Sequence, residues 1–277
     1  MQTRLTILCE NSVGVPFDVL GEHGFACFIE TPEGNYLFDT GQGYTIAGNA
    51  LALDKDLRSI RAIMISHGHY DHTSGLPDVL RLCGSIDVYA HEDCFLDRYS
   101  VKNDECREVG IRFKKRYLES LGAGFVFVKE FTPIFDNIYL SGEIPRVTPF
   151  ESVDPHMKVR DAQGNLVQDV LRDDQTMIID SQEGLVVILG CAHSGLINIL
   201  THITNNLPNR PIHMVIGGTH LGFAEPQQFA QTMKALDRFK VQHLGAGHCT
   251  GLANAARLFQ HFGEKYFFPA VGTRWSC

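Results

Sequence analysis

Short apolar runs separated by turn residues fill the first part of the chain, and they predict strands. Residues 5–8, 25–29 and 35–39 are such runs, and Thr40-Gly41-Gln42-Gly43 closes the third. Their order is that of an antiparallel meander. A helical period over 46–53 follows, then the β-branched run 61–66, a helix over 75–82 and strands over 86–90 and 125–128. From residue 176 the pattern is more regular. Strands at 177–179, 185–189, 212–216 and 243–246 alternate with helices over 196–205, 226–239 and 252–262. A strand-rich half joined to a half in which strands and helices alternate predicts an α/β (α+β) architecture, two mixed sheets between helices.

Two stretches break the pattern. Residues 92–117 turn polar and charged, with Lys114, Lys115 and Arg116 in sequence, and read as an insertion. Residues 141–175 hold Pro145, Pro149 and Pro155 among many charges. They are too long for a simple connector in a compact domain and read as an irregular loop over a site.

Composition adds exclusions. With 277 residues and 44% hydrophobic content the chain can bury a sizeable core. Its 24 Lys and Arg against 32 Asp and Glu give a net charge of −8, so no broad attraction for nucleic acid or an anionic membrane is expected. The apolar run near the N-terminus is too short for a signal peptide, and no uninterrupted apolar run of about 20 residues exists. A cytoplasmic location is therefore expected, with a small molecule rather than a macromolecule as partner and an oligomeric state left open. The eight cysteines include no CxxC pair and are expected to be free thiols.

The chemistry concentrates where strand 61–66 ends, in Ser66-His67-Gly68-His69-Tyr70-Asp71-His72-Thr73. Three imidazoles and a carboxylate crowded into six residues suit zinc, manganese or iron, and they would stay poorly solvated unless a cation organised them. Gly68 lets the backbone turn tightly between the first two histidines. Three later histidines repeat the strand-end placement: His193 after the apolar run 186–189, His220 after 214–216 and His248 after Leu244. Each is either a site residue or a histidine satisfied within the fold. His91, His156, His202 and His261 lack that glycine-flanked context and read as ordinary histidines.

The HxHxDH stretch, with Phe38-Asp39-Thr40-Gly41 before it and strand-end histidines after it, resembles the metallo-β-lactamase superfamily over nearly the whole chain. That resemblance implies an αββα sandwich, a single domain over 1–277 and one or two divalent ions, zinc foremost, with manganese and iron as alternatives. It assigns His67, His69 and His193 to one metal and Asp71, His72 and His248 to the other. Asp39 matches the aspartate that supports the cluster from behind. Gly190-Cys-Ala-His-Ser-Gly195, Gly217-Gly-Thr-His-Leu221, His248-Cys-Thr-Gly251, Asp173-Asp-Gln175 and Ser141-Gly-Glu-Ile-Pro145 are similar to a subgroup. It carries the label 7,8-dihydropterin-6-yl-methyl-4-(β-D-ribofuranosyl)aminobenzene 5′-phosphate synthase-like. One departure stands out: Gly190 is followed by Cys191 where the superfamily carries a metal-bridging aspartate. Cys191 is then either a metal-binding thiolate or a buried inert thiol.

Metal-acidified water attacking an ester or phosphodiester is the expected chemistry. Asp71 and His220 are the candidate catalytic residues, and Glu143, His220 and Thr250 are expected to meet substrate. A dihydropterin-joining synthase and a catalytically weak metal-containing sensor are the alternatives. No nucleophile elbow, P-loop or dinucleotide fingerprint is present.

Overall fold

The structure, a computed structural model, describes residues 3–16, 18–103 and 105–277; Met1, Gln2, Phe17 and Asp104, the last within the 92–117 stretch, lie outside the described residues. The first half contains β1 (Arg4–Cys9), β2 (Ala26–Thr31), β3 (Gly34–Phe38), α1 (Ile46–Ala52), β4 (Ile60–Met64), α2 (Tyr70–Thr73), α3 (Leu76–Cys83) and β5 (Ile86–Ala90). It continues with β6 (Arg98–Lys102), β7 (Glu105–Glu108), α4 (Lys115–Ser120) and β8 (Ala123–Phe127). The second half contains β9 (Thr132–Phe135), β10 (Ile138–Leu140), β11 (Met157–Arg160), β12 (Leu166–Gln168), β13 (Thr176–Ser181), β14 (Gly184–Leu189) and α5 (Leu196–Asn206). It ends with β15 (Ile212–Gly218), α6 (Pro226–Phe239), β16 (His243–Gly247), α7 (Leu252–Phe262), β17 (Tyr266–Phe267) and β18 (Arg274–Ser276).

Two seven-stranded mixed sheets form the centre, ordered β18-β1-β2-β3-β4-β5-β8 and β17-β16-β15-β14-β13-β10-β9. The period of two along the second sheet's strands explains the layering. Met177, Ile179, Val186, Ile188, Met214 and Ile216 pack with Ile7, Phe38 and Met64 of the first sheet. Their neighbours Ile178, Val187, Leu189 and Val215 point the other way, onto Leu196 and Leu200 of α5, Phe229 of α6 and Leu258 of α7. Ile46, Leu80 and Leu118 of α1, α3 and α4 cover the first sheet's outer face in the same way. Strands apolar on both faces need a layer on each side, and the result is an αββα sandwich.

What positions the site is strand direction. β3, β4, β5 and β8 run parallel, as do β14, β15, β16 and β17, so their carboxyl ends lie along one edge of each sheet. Asp39 follows β3, the His67–His72 stretch follows β4, and His193, His220 and His248 follow β14, β15 and β16.

The two stretches that break the sequence pattern are not independent, and 141–175 is not irregular throughout. β6 and β7 come from 92–117, β11 and β12 from 141–175, and together they make a four-stranded sheet ordered β12-β11-β6-β7. β11 pairs antiparallel with β6, Lys158 opposite Tyr99. Arg98 of β6 is 1% exposed and donates from Nη1 and Nη2 to Asp173 at 2.8 and 2.6 Å and from Nε to Asp169 at 2.7 Å.

Candidate metal centre

Backbone strain marks the site. Ten residues other than glycine have positive φ among the described residues, and Asp39 (59°), Ala192 (58°), His220 (55°) and His248 (49°) are four of them. Such strain persists where surrounding contacts over-determine it, and it gathers at functional sites. Here the contacts are visible. Asp173 Oδ2 accepts the Gly68 N–H at 2.8 Å, Asp174 Oδ2 the Ser194 N–H at 2.7 Å, and the His193 carbonyl accepts from Arg146 Nη2 at 2.9 Å.

Asp39 is the organiser. Its Oδ1 accepts the Ser66 N–H and its Oδ2 the Ser66 hydroxyl, both at 2.7 Å, and Oδ2 also accepts from His72 Nδ1 at 2.7 Å. Because the Ser66 proton goes to Asp39, Ser66 Oγ accepts from His67 Nδ1 at 2.9 Å. The network thus holds Nδ1 of His67 and of His72 against oxygen partners and turns each Nε2 inward. His67 Nε2 faces His69 Nδ1 at 3.0 Å and His193 Nε2 at 3.2 Å. Three buried rings that meet nitrogen to nitrogen cannot all be satisfied by their own protons, whereas one cation satisfies all three. Burial, with the neighbouring imidazoles, holds His67 and His193 well below the usual histidine range. Burial and Arg98 bring His69 down to about 3. The three lone pairs are therefore available at neutral pH.

A second group adjoins the first. Asp71 Oδ2 lies 3.4 Å from His248 Nε2 and 3.7 Å from His72 Nε2. Burial opposes charge at His72, but Asp71 and Asp39 outweigh it and carry the imidazole up to about 9, so this pocket favours positive charge. Burial works against the Asp71 anion too, and His72, His23 and His248 outweigh it and hold the carboxyl well below the usual range. His248 is buried, its Nε2 faces Asp71, and its main-chain N–H reaches Glu10 Oε1 at 2.5 Å. Cys191 Sγ sits 3.2 Å from His72 Nε2. It shares one cluster of metal-competent atoms with His67 and His72 and another with His248 and Cys249. Burial pushes its thiol well above the usual range. The donors of both groups fit divalent cations: nitrogen, oxygen and sulfur, lone pairs inward, and the outer ring nitrogens of His67 and His72 held by oxygen partners.

His220 borders this cluster. Its ring stands 4.3 Å from that of His193 and 4.7 Å from Phe223, and Nε2 lies 3.5 Å from Asp154 Oδ2. Burial opposes its charge, but Asp154 and Cys249 outweigh it and raise the ring to about 9. His193, His220 and Phe223 line both a small opening of about 80 Å³ over the cluster and an adjoining cleft of about 480 Å³. Met157 and Arg107 of the small sheet line the first, and Lys102 and His156 the second.

Two residues expected at the substrate are not brought there. Glu143 pairs with His91 Nε2 at 3.2 Å and lines neither opening. Thr250 is fully buried, and its hydroxyl is engaged by Thr219 Oγ1 at 2.8 Å, so it braces the loops of His220 and His248 from within. Of the histidines read as ordinary, His91 pairs with Glu143, His202 Nε2 meets the Ser141 carbonyl at 3.0 Å and His261 pairs with Asp237, whereas His156 lines the larger cleft. All eight cysteines are free thiols. His23, Glu10, Asn11, Cys249 and Asp154 were not singled out from the sequence. Only Cys249, next to His248, carried a signal that could have found it.

Known proteins share this fold. The family model of the metallo-beta-lactamase superfamily matches residues 20–154. The 7,8-dihydropterin-6-methyl-4-(beta-D-ribofuranosyl)-aminobenzene-5′-phosphate synthase of Methanocaldococcus jannaschii is 27% identical, over 95% of this chain and 92% of that protein. An uncharacterized protein of the same organism, MJ0448, is 31% identical over 92% of this chain and 94% of its own length. The crystal structure of a metal-dependent hydrolase of the beta-lactamase superfamily superposes with a TM-score of 0.85 at 29% identity, covering 99% of both chains. In fold, motif and relatives alike, this chain belongs to the metallo-β-lactamase superfamily.

Proposed function

We propose that the protein is a metal-dependent hydrolase of an ester or phosphodiester bond in a small molecule. One observation carries the reading: two adjoining groups of buried nitrogen and oxygen donors whose ligand atoms converge. His67, His69 and His193 would hold one cation, and Asp71, His72 and His248 a second, with Cys191 beside both groups. A divalent ion so bound supplies Lewis acidity and brings the pKa of water to about 7.

The remaining roles fall to the chain itself. Asp39 and Ser66 fix which ring nitrogens of His67 and His72 face inward. His220 Nε2 is taken by Asp154, while its buried Nδ1 has no hydrogen-bond partner among the described residues and is the atom left for a substrate oxygen. A cleft of about 480 Å³ is of the size that encloses a small molecule.

The relation to a dihydropterin-ribofuranosylaminobenzene phosphate synthase along 95% of the chain supports a second reading, a synthase with the same metal-holding residues and a cleft that admits a pterin. Assay of zinc-loaded protein against bis-p-nitrophenyl phosphate and simple esters separates the two. Turnover that disappears in His69→Ala supports hydrolysis. No turnover together with saturable pterin binding supports the synthase, and neither result leaves the metal-containing sensor.

A further inference from the structure

The segment between β1 and β2 contributes a second layer to the site that the motif does not contain. Asn11 Oδ1 lies 2.9 Å from His248 Nδ1 and 3.4 Å from the main-chain N–H of Gly24. An oxygen is required there, because the Gly24 N–H can only donate. The amide orientation is therefore fixed, and Asn11 Nδ2 faces His23 Nδ1 at 3.2 Å as a donor. His23 Nδ1 must then be the accepting nitrogen, so its ring proton sits on Nε2, 3.1 Å from Asp71 Oδ2. The His23 ring lies 4.9 Å from that of His248 and lines the small opening over the cluster.

We propose that Asn11 and His23 are positioning residues for the second metal group. One side-chain amide orients His248 with its oxygen and His23 with its nitrogen, and His23 returns the hydrogen bond to Asp71. His248, Asn11, His23 and Asp71 thus form a closed ring of contacts around the atoms that would hold the second cation. His23, Asp71 and His248 form a metal-competent group by distance alone. The amide decides against His23 as a ligand, because a ring nitrogen that carries a proton has no lone pair to give. Among the described residues no hydrogen bond joins His67, His69 or His193 to this ring, so the effect falls on one cation. The inference rests on the two-cation reading of the site.

The test is zinc binding by equilibrium dialysis to the wild type, His23→Ala, His23→Gln and Asn11→Asp. Melting temperature without metal serves as the control for folding, since His23 is half exposed. The wild type is expected to take two equivalents. His23→Ala and Asn11→Asp are expected to weaken the second by about 10-fold and leave the first unchanged, in line with the 10–100-fold effect of removing partners of metal ligands. His23→Gln, whose amide can still donate to Asp71, is expected to recover most of the loss. Unchanged affinity in His23→Ala, or equal weakening of both equivalents, would overturn the proposal. Failure of glutamine to recover binding would also overturn it and would make the imidazole a ligand. A wild type that takes one equivalent would instead overturn the two-cation reading, and the role of His23 with it.

Discussion

Arg98 is the residue whose loss the fold should feel most sharply. Its guanidinium is 1% exposed and makes three hydrogen bonds to two carboxylates that are themselves buried, Asp173 at 0% and Asp169 at 4%. An exposed pair of this kind would be worth about 0–1 kcal/mol. Arg98→Met leaves two carboxylates in the interior with no cation, a change that costs about 3–5 kcal/mol. At about 2–4 °C per kcal/mol for a chain of this size, the melting temperature should fall by about 6–20 °C. Guanidinium unfolding of the metal-free protein measures this directly. Arg98→Lys should recover less than half of the loss, because a single ammonium cannot reproduce a planar fork serving two carboxylates. Asp173 also accepts the Gly68 N–H between two candidate ligands, so Arg98→Met should weaken metal binding as well. A loss of stability below about 1 kcal/mol would refute the reasoning and put Arg98 among the ordinary surface pairs.

Other variants probe the remaining parts of the site. Asp39→Ala removes the acceptor that orients His72 and, through Ser66, His67, and should lower zinc affinity by about 10–100-fold in a chelator competition. Gly190→Ala would set a Cβ 2.2 Å from Ser66 Oγ and 3.3 Å from Asp39 Oδ2, and should cost about 1–3 kcal/mol in denaturant unfolding. His220→Ala should keep its full metal content by elemental analysis yet lose at least about 10-fold in turnover of any ester or phosphodiester the wild type accepts. Thr250→Val should cost about 1 kcal/mol of stability through the lost Thr219 contact and leave KM unchanged, since the hydroxyl does not reach the cleft.

The sandwich was legible because its strands are apolar on both faces and its helices on one; the runs at 185–189 and 212–216 correspond to β14 and β15 within a residue or two. The small sheet was not. β7 is exposed at every position and β12 likewise, so neither carries a buried face whose period could reveal it. Each pairs with its own neighbour, and the two hairpins join only through β6 and β11, whose paired residues are about sixty apart, and through an arginine that composition alone reads as surface charge. The same limit applies at the site. The HxHxDH spacing is a local signal, readable because the donors lie within one turn of chain. His23, Asn11 and Asp154 reach the cluster through loops whose course the sequence does not disclose, and none of them lies in a glycine-flanked strand-end motif. Glu143 shows the converse: its subgroup motif is local, but in the structure its carboxylate is turned to His91.

The central claim is that two groups of donors, His67 with His69 and His193, and Asp71 with His72 and His248, each hold a divalent ion. Elemental analysis of protein purified without added metal tests it most directly. Two equivalents of zinc, manganese or iron per chain, falling to one or fewer in His69→Ala, is the predicted result. Protein that is fully folded, carries no metal and takes up none on dialysis against zinc would contradict it.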